Sequence, residues 1–411
     1  MRTMTYCAIA SSALLLAACG GDPAGEGEIA EGCDAIDLAP PAPGEGVQLA
    51  IDMELDAGAE RQICKLVPIG QKVNLNWTEG LFSDGSHHAL VWRTTYRDAL
   101  PTANVRGETV DASLAVDCEN AGSEWSVTNV VAGGRALHGD PASSFPNQGD
   151  LPSNVALKIE ANEILQLNFH MLNTDTKPTH TCYKANMYSI PDEQVEVEAG
   201  TIFYYNNFIT LPASGTATAS MSCPVSEDVT LRAQVSHMHK RGTGYTASLL
   251  DDDPLAGGQE VQKLYETTDW DEPAFKIDDP ALALTTGQWI RWNCDYTNPE
   301  ARDVAQGQPT TDEMCMFVGV YWPRSAAMDG CTSAGGQYMS ASRPLGTGTM
   351  NGAQLMDCFN TSPQLVTGGG PETSAERYAT QRCVTEACPE VSGRVNEGVA
   401  GLVDLTTLTC N

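Results

Sequence analysis

From about residue 46 to about residue 335 the chain is a succession of short runs in which apolar and polar residues alternate, and this limits it to β structure. The first series holds V-Q-L-A-I-D-M-E-L (47–55), K-V-N-L-N-W (72–77), A-L-K-I-E-A (156–161) and I-L-Q-L-N-F-H-M (164–171). The second holds T-A-T-A-S-M-S-C (216–223), V-T-L-R-A-Q-V-S-H-M-H (229–239), Y-T-A-S-L-L (245–250), Q-W-I-R-W-N-C (288–294) and M-C-M-F-V-G-V-Y-W-P (314–323). Ile190-Pro191-Asp192 separates them. A period of two sends neighbouring side chains to opposite faces of a sheet, and helical periodicity is scarce. Hydrophobic residues make up 42%, enough for real cores. The pattern predicts an all-β, disulfide-rich chain of two tandem antiparallel β-sandwich (jelly-roll-like) domains, 46–192 and 193–335. The extension 336–411 carries four cysteines, many Gly, Ser and Thr, and one possible helix around Ser374 to Arg382; it reads as a cysteine-stapled appendage.

The first residues read as targeting rather than fold. Arg2 supplies a positive start, and Ala8 to Ala18 is apolar but too short to span a bilayer. The run ends in Leu16-Ala17-Ala18-Cys19, which resembles the bacterial lipoprotein signal. That resemblance implies cleavage after residue 18 and lipidation of Cys19. With no Asp directly after Cys19, it also implies sorting to the outer membrane of a Gram-negative cell envelope. A plain secretory signal is the alternative. Residues 19–45, rich in Gly, Pro and Ala, read as a flexible tether.

The formal net charge is −30 at pH 7. Such a chain repels nucleic acid and anionic lipid, so contact with a membrane is expected only through the anchor. Of fourteen cysteines, Cys7 lies in the signal and Cys19 at the lipidation site. The even remainder, Cys33, Cys64, Cys118, Cys182, Cys223, Cys294, Cys315, Cys331, Cys358, Cys383, Cys388 and Cys410, predicts disulfides in an exported protein. Thiolate metal binding is the weaker choice, since no C-x-x-C pair exists.

Five of the seven histidines fall in three short motifs: His87-His88, His170 in N-F-H-M, and His237 and His239 in H-M-H. Met314 follows in D-E-M-C. Imidazole and thioether are copper ligands. On a strand, His237 and His239 share one face, about 7 Å apart, and can grip one ion. Met314 adds a soft donor that suits Cu(I), although a methionine there could equally be core. Adjacent His87 and His88 would face opposite ways on a regular strand, so joint binding with His170 requires a bulge or twist. Otherwise one is a core histidine and the other solvated. His138 and His180 belong to no motif and read as loop residues. Asp84 and Asp312, beside the ligand motifs, could orient an imidazole, but they read first as solvated turn carboxylates.

The order H-H, H-x-H, D-E-M-C within two exported β domains resembles the copper type II, ascorbate-dependent monooxygenases, a family that includes peptidylglycine α-hydroxylating monooxygenase and dopamine β-hydroxylase. The resemblance implies two coppers per chain. His87, His88 and His170 would hold one, which passes on an electron. His237, His239 and Met314 would hold the other, where O2 reacts and an sp3 C–H is hydroxylated. It further implies the disulfides Cys294–Cys315 and Cys223–Cys331, and more loosely Cys64–Cys118 and Cys33–Cys182. Implied partners are O2, a small-molecule substrate and an external one-electron donor such as ascorbate, with the physiological donor unspecified.

The pattern departs from the peptide-amidating members. Their arginine, two residues before H-x-H, is here Val235. Their Asn and Tyr, two and four residues after the copper methionine, are Met316 and Val318. Strand parity puts Val235 on the face of His237 and His239, and Met316 and Val318 on that of Met314. The expected substrate pocket is therefore apolar and lacks a carboxylate anchor. Arg241 has suitable parity, but the turn at Gly242 weakens its claim. A copper-binding or copper-delivery lipoprotein without hydroxylase activity, and a purely structural lipoprotein, are the competing classes. No dinucleotide fingerprint, phosphate loop or G-x-S-x-G elbow is present.

Overall fold

The computed structural model describes residues 32–118, 124–136, 151–206, 209–307 and 309–332. The expected signal, Cys19 and the rest of the tether up to residue 31, His138 and the extension 336–411 with Cys358, Cys383, Cys388 and Cys410 lie outside them. Among the described residues the fold is nearly all strand, with one short helix, Ala326–Asp329.

The first half is built from two five-stranded sheets. One runs, in spatial order, Gly46–Leu55, Thr179–Ser189, Val73–Phe82, Val155–Ile159 and Val197–Glu198. The other runs Val116–Asp117, Glu60–Pro68, Glu163–Leu172, Ser86–Arg97 and Val127–Arg135. Leu49, Ile51 and Leu55 from the first meet Leu165, Leu167 and Phe169 from the second in one core. Burying each such side chain contributes about 1.5–3 kcal/mol. The second half opposes a five-stranded sheet, Lys276–Leu284, Val229–Met238, Cys315–Trp322, Gly200–Tyr205 and Gly330–Thr332, to a four-stranded one, Thr216–Pro224, Trp289–Thr297, Gly242–Leu250 and Glu260–Thr267. Leu231, Phe317 and Tyr321 pack there against Met221, Leu249 and Trp292.

The two halves share structure at their junction. Val197–Glu198, beyond the expected break at 192, still pairs in parallel with Val155–Ile159, and the chain crosses over at Gly200. Ala233 and Val320 belong to the first core, with Val318 and Trp322 packed against it. The end of the expected tether is docked as well. Cys33 is bonded to Cys182, Ile36 and Leu38 are buried beside that disulfide, and Lys184 and Asn186 donate to the carbonyls of Ile36 and Ala39. A disulfide and two buried apolar side chains outweigh the mobility that Gly, Pro and Ala suggested.

The strand Glu163–Leu172 is buried on both faces. Leu165, Leu167, Phe169 and Met171 enter the core, while Gln166, Asn168 and His170 look the other way. That polar face is covered by the Cys64–Cys118 disulfide, with Gln166 and Asn168 amides 3.3 Å from Cys64 Sγ and Gln62 donating to Asn168 at 2.8 Å. The remaining disulfides are Cys223–Cys331 and Cys294–Cys315. All four are pairs that the resemblance implied.

Cys294 and Cys315 lie 21 residues apart, and the bond anchors the strand that follows Met314. Closing a loop of this length removes unfolded-state entropy worth about 3 kcal/mol. Replacing both cysteines by alanine is expected to lower unfolding free energy by about that amount in urea titrations.

Candidate metal centre

His87 and His88 reach one centre through a β-bulge. In the pairing of Ser86–Arg97 with Glu163–Leu172, Ser86 lies opposite Met171 and His88 opposite His170, so His87 is an extra residue. The turn that feeds this strand needs Gly85, whose φ is +80° and where a Cβ would sit 2.8 Å from Thr181 Cγ2. The bulge rotates two neighbouring side chains toward the same side. Ring centroids are 5.1 Å apart for His87 and His88, 5.3 Å for His87 and His170, and 4.9 Å for His88 and His170. One ring nitrogen from each lies within 4.8 Å of the others, a spacing one ion can bridge.

The second set lies across the junction. Val229–Met238 pairs with Cys315–Trp322, putting His237 opposite Met316 and Val235 opposite Val318. His239 follows just past the strand end, its ring 5.3 Å from that of His237. Tyr296 Oη donates to the carbonyl of Met314 at 2.6 Å and fixes the backbone that presents the thioether. The two sets are near each other: the rings of His88 and His237 are 5.6 Å apart.

Hydrogen bonds decide which nitrogen each ring offers. His239 Nδ1 donates to the Asp312 carbonyl at 3.1 Å, leaving Nε2 free. His170 Nε2 donates to Glu60 Oε1 at 2.8 Å, leaving Nδ1. Burial and then the neighbouring histidines push His87, His237 and His239 down to about 3, and His88 well below its usual range. Lowered in this way, each of these four rings favours its neutral form and offers the lone pair of one ring nitrogen, so the donor set fits a copper ion.

Sequence reasoning missed Glu60. Its partners stand 110 and 250 residues away, beyond any local signal: His170 on one side, and on the other the N–H and hydroxyl of Thr310, both at 3.1 Å. Burial opposes its ionisation, but the bonds from His170 and Thr310 outweigh this and hold its carboxyl at about 2. Asp312 is corrected: it is buried rather than solvated, and its backbone carbonyl is what orients His239. Asp84 is exposed, and His180 makes an outward pair with Asp52. Arg241 is buried but committed elsewhere, to Glu300 at 2.6 Å and Glu313 at 3.3 Å. Glu313 also accepts from the N–H groups of His239 and Arg241. Burial pushes its carboxyl up to about 7 against these stabilising contacts.

Between the two halves lies a cavity of about 410 Å³. His87, His88, His237 and Met314 open onto it beside Val235, Met316 and Val318. Trp92 and Phe203, edge to face at 5.0 Å, line it further along with Trp270 and Phe275. Arg135 and Asn129 are polar members of the wall.

Removing Arg241 takes the cation from Glu313, which is wholly buried, and leaves it the N–H groups of residues 239 and 241. Arg241→Met is expected to cost about 3 kcal/mol, measured by urea unfolding, because it leaves a buried acid without its cation. Replacing Glu313 by Gln in the same background should restore part of the loss.

Several solved structures resemble the chain only faintly. The major capsid protein P2 of bacteriophage PM2 is 9% identical, covering 67% of this chain and 98% of its own, with a TM-score of 0.26. A putative secreted protein from Parabacteroides distasonis is 8% identical over 70% and 86%, at 0.18. PNGF-II is 10% identical over 68% and 59%, at 0.21. Likenesses this weak carry no argument. A family model is more informative: that of the copper type II ascorbate-dependent monooxygenase C-terminal domain matches residues 196–344, a span that includes His237, His239 and Met314. That match lies on the half of the cavity that holds the H-x-H pair, so residues 196–344 are similar to the C-terminal domain of the copper type II ascorbate-dependent monooxygenases.

Proposed function

We propose that the chain is a copper-dependent monooxygenase that hydroxylates an sp3 C–H bond of a small, apolar substrate, using O2 and an external one-electron donor such as ascorbate. The observation that carries this reading is that His87, His88, His237 and Met314 line one cavity between the halves, with His170 and His239 packed against these histidines. His87, His88 and His170 would hold one copper, and His237, His239 and Met314 the other. When bound, copper supplies one-electron redox chemistry and a place for O2 to be activated.

The chain's own residues do the rest. The Asp312 carbonyl and the Glu60 carboxylate orient the rings of His239 and His170. Val235, Met316 and Val318 give the substrate an apolar wall beside His237, and the aromatic pair Trp92–Phe203 extends it. Such a wall excludes water and favours a hydrocarbon or aromatic group by area burial. The Leu16-Ala17-Ala18-Cys19 motif supports export and lipid anchoring in the cell envelope as part of the same proposal.

Reconstituted protein is expected to bind two equivalents of copper, one per ligand set, by metal analysis. His237→Ala is expected to bind near one and to lose ascorbate-driven oxygen consumption. Full copper and turnover in that variant would contradict the assignment.

Met314→Ile removes the sulfur while roughly keeping volume, so it is expected to cost under about 1.5 kcal/mol in stability. It should retain copper at His87, His88 and His170 and lose turnover almost entirely. Melting temperature and oxygen consumption, measured together, separate a lost ligand from a lost fold.

Substrate choice should follow the wall. Small hydrophobic or aromatic molecules with an activated C–H are expected to be hydroxylated far better than glycine-extended peptides. Efficient, carboxylate-dependent hydroxylation of such a peptide would show that a cation such as Arg135 replaces the arginine absent at Val235.

A further inference from the structure

Glu60 sits in the first half, at the start of the strand Glu60–Pro68, next to the strand that carries His170. One carboxylate oxygen, Oε1, accepts from His170 Nε2 at 2.8 Å and from the Thr310 N–H at 3.1 Å. The other, Oε2, accepts from the Thr310 hydroxyl at 3.1 Å. Thr310 belongs to the second half. It stands two residues before Asp312, whose carbonyl holds His239, and four before Met314. A single side chain is therefore hydrogen-bonded at once to a ligand of the first set and to the segment that presents the second.

This is the place where such a link has most effect. The rings of His88 and His237 are 5.6 Å apart across the junction, comparable to the spacing within each set. The five imidazoles make one continuous group, and its two parts come from different halves of the chain. Apolar packing between the halves, through Ala233, Val318 and Val320, sets their general approach but carries little directional information. The three bonds on Glu60 are directional, two of them to a loop and one to a ring whose orientation matters.

We propose that Glu60 is a positioning residue that latches the two ligand sets together, holding His88 against His237 so that both sets face one shared cavity. This rests on the proposed copper reading for its functional meaning, though the latch itself requires no metal. Loss of the latch would let the sets separate while leaving all six ligand residues in the chain.

Two variants differ only in reach. Gln in place of Glu60 keeps an acceptor oxygen for His170 and the Thr310 N–H, and its amide can donate to the Thr310 hydroxyl. Asp is one methylene shorter and cannot span from His170 to Thr310. Metal-free protein with labelled histidines is expected to show a nuclear Overhauser contact between the rings of His88 and His237. The contact should persist in Glu60→Gln and vanish in Glu60→Asp and Glu60→Ala, at unchanged far-ultraviolet circular dichroism. If Glu60→Ala fails to fold, Thr310→Val removes the hydroxyl bond alone and should weaken the same contact. A contact that survives intact in Glu60→Asp and Thr310→Val overturns the latch. Failure to bind two coppers would instead count against the proposed function, while the metal-free contact still decides the latch.

Discussion

The site depends on keeping imidazoles largely out of water and uncharged. A histidine in water is partly protonated near neutral pH, and the protonated ring has no lone pair free on either nitrogen. Here burial, reinforced by each ring's histidine neighbours, holds His87, His237 and His239 near 3 and His88 well below its usual range. Crowding several rings together would be costly if they carried charge, and costs little when they are neutral. Desolvation therefore leaves the rings uncharged, the form in which an imidazole can serve as a metal ligand. The sheets on either side of the junction, the polar strand face sealed by the Cys64–Cys118 disulfide, and the bulge at His87 all serve that burial.

The bulge shows how local and global constraints meet. Two adjacent histidines on a regular strand point apart, and one inserted residue brings them together. The insertion is tolerated because Gly85 permits the turn ahead of it and because His88 still pairs in register with His170. From there the geometry propagates outward. His170 orders Glu60, Glu60 reaches Thr310, and the Thr310 segment carries the Asp312 carbonyl and Met314.

Much of this is legible in the sequence because β structure has a strict period. Alternation places Val235 with His237, and Met316 with Val318, and the pairing of these strands brings them onto one wall. The need for a bulge follows from two histidines in a row. The cysteines show oxidation by their number, while their pairing came only from the family resemblance. What the sequence conceals is long-range and polar. Glu60 has no motif, and its partners are 110 and 250 residues distant. Asp312 looks like a solvated turn residue because nothing nearby in the chain says that a strand end will cover it. The strand carrying Gln166, Asn168 and His170 reads as half-exposed, yet a disulfide and Gln62 cover its polar side. Residues 33–39 look like linker and are docked.

In the proposed reading, His237, His239 and Met314 form a soft copper site beside a set of three nitrogen ligands. X-ray absorption at the copper edge of the ascorbate-reduced, copper-loaded protein tests it most directly, because sulfur and nitrogen scatter distinguishably. The account expects imidazole scattering plus a sulfur shell in the native protein, and loss of the sulfur shell alone in Met314→Ile. A native spectrum with nitrogen and oxygen ligands only, unchanged in Met314→Ile, would contradict it.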